Sequence, residues 1–93
     1  MAKENVPGKK TDHQVMLYAL STCGWCKKTR ELLEEMGQEY DYEYVDLLEG
    51  EERDKCIELV QSYNPKLNFP TMVVDDDNCI VGYDENKIKE ALS

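Results

Sequence analysis

The sequence predicts a single α/β domain whose elements run β-α-β-α-β-β-α. Three observations carry that reading. A mostly apolar run, HQVMLYAL (residues 13–20), leads directly into a segment with helical spacing. An alternating strand, EYDYEYV (39–45), leads into a second helical segment. Two short apolar strands, TMVV and CIVGY, then flank the polar turn DDDN.

The first run is apolar between polar borders and reads as a buried strand. Behind it, Thr29, Leu32, Leu33 and Met36 recur at i, i+3, i+4 and i+7, one face of a helix, and Gly37 stands where a helix C-terminal glycine belongs. EYDYEYV alternates acidic with aromatic or aliphatic residues, a half-buried strand. EGEERDKCIELVQSY has acids at its start, where the helix macrodipole favours them, and Cys56, Ile57, Leu59, Val60 and Tyr63 behind. NPKLNFP breaks the pattern with two prolines, and the hairpin follows. Asp84 then offers an N-cap to a last helix with Ile88, Ala91 and Leu92 on one face. A right-handed β-α-β crossover makes the first two strands parallel, and the hairpin adds antiparallel ones. The expectation is a four-stranded mixed sheet flanked by three helices, over residues 13–93, with residues 1–12 as a flexible polar arm.

Ninety-three residues suit one domain, and 41% hydrophobic with 33% charged residues is the composition of a globular protein. Eleven basic against twenty acidic residues leave a net charge of −9, which argues against a nucleic-acid partner. No apolar run approaches the roughly 20 residues that span a bilayer, so no membrane partner is expected. MAKENVPGKKTD lacks the apolar core of a secretory signal, and a cytoplasmic location is expected. Lys27, Lys28 and Arg30 are the densest basic cluster outside the arm.

The chemistry concentrates in LSTCGWCKKTRELLEEMG. Its CxxC pair, Cys23 and Cys26, falls at the strand-to-helix turn, at the carboxyl end of the first strand, where open α/β sheets bind ligands. A cysteine at a helix N-terminus meets free N–H groups and the positive end of the dipole, and thiol pKa values in such places fall from about 8.5 to between about 3.5 and 7.5. Cys23 is therefore expected to attack a disulfide and Cys26 to resolve the mixed disulfide. A purely structural Cys23–Cys26 bridge would close too small a loop to gain much. A zinc site would need two further ligands, with only Cys56, Cys79 and the single histidine, His13, on hand. An iron–sulfur cluster or metal carried by the same cysteines is the alternative. Redox exchange is the favoured reading, with no metal and no cofactor beyond the redox-active disulfide.

From residue 14 to 92 the chain resembles the glutaredoxin branch of the thioredoxin superfamily. VMLYALSTCGWCKKTRELLEEMG resembles the strand, CxxC and first helix of that family, NFPT its cis-proline segment, and Gly82 the glycine before its last helix. The resemblance implies a thioredoxin/glutaredoxin fold and dithiol thiol–disulfide oxidoreductase activity. It implies a cis Phe69–Pro70 bond, with the backbone of Phe69 pairing with the substrate's cysteine segment. Many glutathione-using members have a lysine before the first cysteine, where this chain has Leu20, Ser21 and Thr22. They have threonine-valine before the cis-proline, where Asn68-Phe69 stands here, and a Gly-Gly pair where this chain reads Gly82-Tyr83. The ending looks more like that of glutaredoxin-like redoxins that donate electrons to ribonucleotide reductase. The partners so implied are protein disulfides, with thioredoxin reductase or a low-molecular-weight thiol as reductant, acting on a monomer.

Trp25, the only tryptophan, lies inside the CxxC turn and is expected to touch substrate, as is Lys27 just after it; Tyr83 reads equally as a packing residue and as lining the active-site edge. Tyr18, Cys56 and Cys79 read as core residues, DDDN as a solvated turn, and His13 as remote from the cysteines.

Overall fold

The computed structural model describes residues 4–92. Val15–Ala19 (β2) is almost wholly buried and takes the centre of a five-stranded sheet. It is followed by the helix Gly24–Glu35 (α1), the strand Tyr40–Tyr44 (β3), a 3-10 turn at Val45–Leu47, the helix Gly50–Tyr63 (α2), the hairpin Thr71–Val74 (β4) and Asn78–Val81 (β5), and the helix Glu85–Ala91 (α3). β2 and β3 run parallel, with Met16 opposite Asp41 and Ala19 opposite Tyr44, whereas β2–β4 and β4–β5 are antiparallel. This is the thioredoxin/glutaredoxin fold, with one strand more than expected.

The extra strand comes from the segment read as a polar arm. Glu4–Val6 (β1) pairs antiparallel with β3, giving the order β1-β3-β2-β4-β5. The chain is then stitched to the start of β3: Lys10 N–H donates to Gly37 O, Glu39 N–H donates to Lys10 O, both at 2.9 Å, and the buried Gln38 amide donates to the carbonyls of Lys10, His13 and Glu39. An edge strand needs only backbone partners, so three mostly exposed residues form one without any apolar period. Residues 1–3 of the arm lie outside the described residues.

Alternation along β2 builds two cores. Val15, Leu17 and Ala19 join Leu33, Tyr40, Met72, Ile88 and Leu92, while Tyr18 turns to the other face with Val45, Leu48, Cys56, Val60 and Val73. Tyr18 and Cys56 are thus core residues. Cys79 is only half-buried, because it lies on the edge strand β5. Leu59, on α2, points to solvent. The DDDN turn is more than solvated: Asp75 and Asp76 both have positive φ, the primed geometry suited to hairpins, and the Asp75 carboxylate accepts Gln14 N–H at 2.8 Å and lies 2.7 Å from His13 Nδ1.

Two predictions follow from this packing. A Cβ on Gly8 would come within 2.5 Å of Gly37 O and 2.7 Å of Gln38 C and Glu39 N, all backbone atoms. Gly8→Ala should lower stability by about 1–3 kcal/mol, read from urea melts; an unchanged midpoint would show that the segment after β1 is not held against β3. Burial pushes Tyr18 and Tyr40 from 10.0 up to about 12 and Cys56 from 9.0 to about 11. The folded state holds these protons more tightly than the unfolded chain, so the stability they contribute is complete below about pH 9 and is lost as pH rises through 9–12. Urea midpoints should be level from about pH 8 to 9 and fall above that.

Candidate active site

The turn after β2 is closed by Cys23 N–H donating to Leu20 O at 3.2 Å. Cys23 is the N-cap of α1, with extended backbone, and its Sγ accepts the N–H of Cys26 at 3.2 Å. The helix therefore aims one of its free N–H groups at the sulfur. Cys23 is partly exposed; Cys26, three residues into the turn, is 1% exposed and belongs to the main core. Burial first, then the contact with Cys23, pushes the Cys26 thiol up to about 12, against a lowering contribution from the Leu20 backbone. One sulfur is accessible at the helix end and its neighbour is kept protonated behind it. That inequality is what a two-step thiol exchange needs.

The loop before β4 lies beside the cysteines. The Phe69–Pro70 peptide is cis, as the resemblance implied. Buried Thr71 and Asn64 hold this loop: Thr71 Oγ1 donates to Asn68 O at 2.6 Å, and Asn64 Nδ2 donates to the same carbonyl at 3.1 Å. Phe69, Tyr83 and Cys23 pack against one core cluster. Gly82, with φ of 81°, turns its N–H onto Pro70 O at 2.8 Å and so ties the end of β5 to the proline loop.

Trp25 is 56% exposed and stacks on Tyr83, ring centroids 5.7 Å apart and planes at 24°, while Lys28 Nζ stands 5.0 Å from the indole centroid. The first turn of α1 is thereby joined to the segment before α3. Lys27 is exposed on the same turn. Arg30, expected in the same basic cluster, faces elsewhere. Its guanidinium lies 3.9 Å from the Tyr42 ring centroid and donates to the hydroxyls of Tyr40 at 3.0 Å and Tyr44 at 2.7 Å, fastening α1 to β3. Only Lys27 and Lys28 of that cluster flank the cysteines.

One contact escaped the sequence reading. Asp46 accepts both the Ser21 N–H at 2.9 Å and the Ser21 hydroxyl at 2.5 Å, which holds its carboxyl below the usual carboxylate range. A signal for it exists: the parallel register places Ala19 beside Tyr44, so Ser21 and Asp46 each lie two residues beyond a paired position. Among the described residues, no three of His, Cys, Asp and Glu gather into a metal-binding group, and no helix is long and apolar enough to cross a membrane.

A partly exposed cysteine at a helix N-terminus, a buried second cysteine and an adjacent proline loop, on this fold, define a member of the thioredoxin superfamily. A family model described as Glutaredoxin matches residues 15–80, and the chain belongs to the glutaredoxin family, whose members are thiol–disulfide oxidoreductases. Methanoredoxin from Methanosarcina acetivorans is 46% identical over 86% of this chain and 84% of its own, with a TM-score of 0.83. A glutaredoxin from Methanosarcina mazei Go1 is 42% identical over 100% of this chain and 89% of its own, with a TM-score of 0.87. The glutaredoxin grx-1 of Archaeoglobus fulgidus is 43% identical over 83% of each chain, with a TM-score of 0.78. None of the curated proteins compared with the chain matches it.

The difference between the two sulfurs is directly testable. With the reduced protein at about pH 7, iodoacetamide should alkylate Cys23 and leave Cys26 unmodified, read by peptide mass mapping. Equal labelling of both would contradict the burial of Cys26.

Proposed function

We propose that this chain is a dithiol thiol–disulfide oxidoreductase that reduces disulfides through its CGWC motif. The observation that carries the reading is the unequal pair, with Cys23 partly exposed at the helix end, its Sγ accepting the Cys26 N–H, and Cys26 buried behind it. The Cys23 thiolate attacks one sulfur of a substrate disulfide; an S–S bond forms to Cys23, and the other substrate sulfur leaves as a thiolate and takes a proton from water. Cys26 then passes its proton to solvent and attacks Cys23 Sγ as a thiolate, releasing the second substrate sulfur as a thiolate and leaving a Cys23–Cys26 disulfide. Two electrons have passed to the substrate, and an external reductant returns two electrons and two protons. The cycle uses no group beyond the two cysteines.

In this reading Phe69 and Pro70 offer backbone to the substrate's cysteine segment, Trp25 and Tyr83 form an aromatic wall, Gly82 fixes that wall to the proline loop, and Lys27 supplies a cationic rim. Tyr83 stacks on Trp25 and stands where Gly-Gly members of the family carry their second glycine. This supports a reductant other than glutathione, either thioredoxin reductase or another small thiol, and a role like that of redoxins serving ribonucleotide reductase. A cytoplasmic, monomeric carrier of reducing equivalents fits the chain.

Cys23→Ser should abolish disulfide reduction, whereas Cys26→Ser should accumulate a mixed disulfide with a protein substrate, visible on non-reducing gels. Turnover of the wild type should be faster with NADPH and thioredoxin reductase than with a glutathione system. Normal turnover by Cys26→Ser would remove the resolving role. Visible absorption in protein purified without oxygen, lost in Cys23→Ser, would instead favour a metal or iron–sulfur carrier.

A further inference from the structure

α2 leaves part of the sheet uncovered. Of its residues only Cys56 and Val60 are buried, in one cluster with Tyr18, Val45 and Val73. So narrow a line of contact covers only a strip of that face. Beside the strip, between the C-terminal half of α2 and strands β2, β3 and β4, lies a cavity of about 390 Å³. That is within the range of small-molecule sites, about 300–1,000 Å³. Met16, Leu59 and Val73 form its apolar walls, and Leu59 is 47% exposed at its mouth. α1 and Cys26 pack on the other face of the sheet, so the cavity is separate from the reacting sulfurs.

Two features of the lining point to an occupant. The first is Tyr18, which lines the cavity and is only 6% exposed, yet its hydroxyl has no hydrogen-bond partner among the described residues. The oxygen is not sealed in, because among those residues Gln38 Oε1 is the one fully enclosed side-chain oxygen or nitrogen without a partner. Burial pushes the Tyr18 pKa up to about 12, and Cys56, Glu43, Tyr63 and Asp76 add to the rise. The last three of these line the cavity, so the phenol oxygen lies at its wall. Buried polar groups are paired as a rule, and here the missing partner has to enter from the cavity.

The second feature is charge. Asp41, Glu43 and Asp76 line the cavity, and among the described residues no cationic side chain does. Asp41 accepts the side-chain amide of Asn5 at 2.8 Å, and the Tyr63 hydroxyl donates to the backbone carbonyl of Asp76 at 3.3 Å. The carboxylates do not converge: no three acids among the described residues gather closely enough to hold a metal ion. Negative charge spread around apolar walls suits an extended organic cation rather than a point-like one.

We infer that this cavity is a binding site for a small organic cation, a protonated amine on an apolar body. Its ammonium N–H donates to the Tyr18 oxygen, and its body lies against Met16, Leu59 and Val73. The surrounding carboxylates select the positive charge, and the cavity volume limits the occupant to a small molecule. The site does not depend on the thiol–disulfide reading above, since it shares no residue with the cysteine turn or the proline loop.

The test is a titration of the reduced, nitrogen-15-labelled full chain with 2-phenylethylammonium, followed by amide chemical shifts. Saturating shifts should centre on Met16, Leu59, Val73 and Asp76, with a dissociation constant of about 0.1–1 mM. The neutral 2-phenylethanol and the anionic 3-phenylpropanoate should each bind at least about tenfold more weakly. Tyr18→Phe removes only the oxygen and should weaken the amine by about fivefold to about twentyfold. It should not lower the urea midpoint, because an unpaired hydroxyl contributes no hydrogen bond to the fold. Leu59→Lys, at an exposed position the core does not need, places a like charge at the mouth and should abolish saturation. No saturation in the wild type, shifts centred on Cys23 and Trp25, equal binding of the alcohol, or full affinity in Tyr18→Phe or Leu59→Lys would each overturn the site.

Discussion

Parallel pairing of β2 with β3 is the constraint on which the rest of the molecule depends. Strands joined in sequence can run parallel only through a crossover, and the crossover must return the chain along one face of the sheet. α1 is that return, and its first turn has to lie at the carboxyl end of β2. Cys23 becomes its N-cap and Cys26 its first buried position. The helix is held to the strand it crosses toward by Arg30, which reaches three tyrosines at alternate positions on β3. Any slip of β3 by one residue would turn Tyr40, Tyr42 and Tyr44 to the other face and remove that fastening.

The same geometry makes two chemically identical residues unequal. Cys23 stands at a helix end, where backbone N–H groups lack partners, and receives one of them. Cys26 is packed against the core, where an anion is poorly solvated and the proton is retained. No additional ionisable group has to supply the difference. It arises from the spacing of two intervening residues, which carries the second sulfur around the first turn and inward, in combination with the burial of that helix face.

How much of this was legible follows from what each feature is made of. Period-2 and period-3.6 patterns exposed β2, α1, β3, α2, the hairpin and α3, because those elements bury a face. The cysteines were legible because CxxC combines sequence proximity with a predicted helix end. β1 was not, since an outer strand is held by backbone bonds that carry no side-chain pattern. The Trp25–Tyr83 stack joins residues 58 positions apart, and nothing local to either announces it. Arg30 illustrates the limit of reading charge in one dimension. It adjoins Lys27 and Lys28 in sequence, but the helical step turns it onto the tyrosines of β3. Asp46 was hidden for a related reason: its contact with Ser21 depends on register between strands, which composition does not encode.

The net charge of −9 likewise says less about partners than the placement of the charges. Several acids are committed to the fold. Asp75 holds the start of β2, Asp46 holds Ser21, Asp84 caps α3 by accepting Lys87 N–H, and Glu34 accepts the hydroxyl of buried Tyr40. At physiological ionic strength the field of an exposed charge decays over about 8 Å, so a docking segment at Cys23 responds mainly to what lies within a residue or two of it. There the charged side chains are Lys27 and Lys28, exposed at the start of α1, and the Asp46 carboxylate held by Ser21, while Arg30 is unavailable because its guanidinium is engaged by tyrosines. The acidity of the whole chain and the cationic rim of the cysteines are therefore compatible. The first is a long-range field, felt most at low salt, and the second is a local one beside the cysteines.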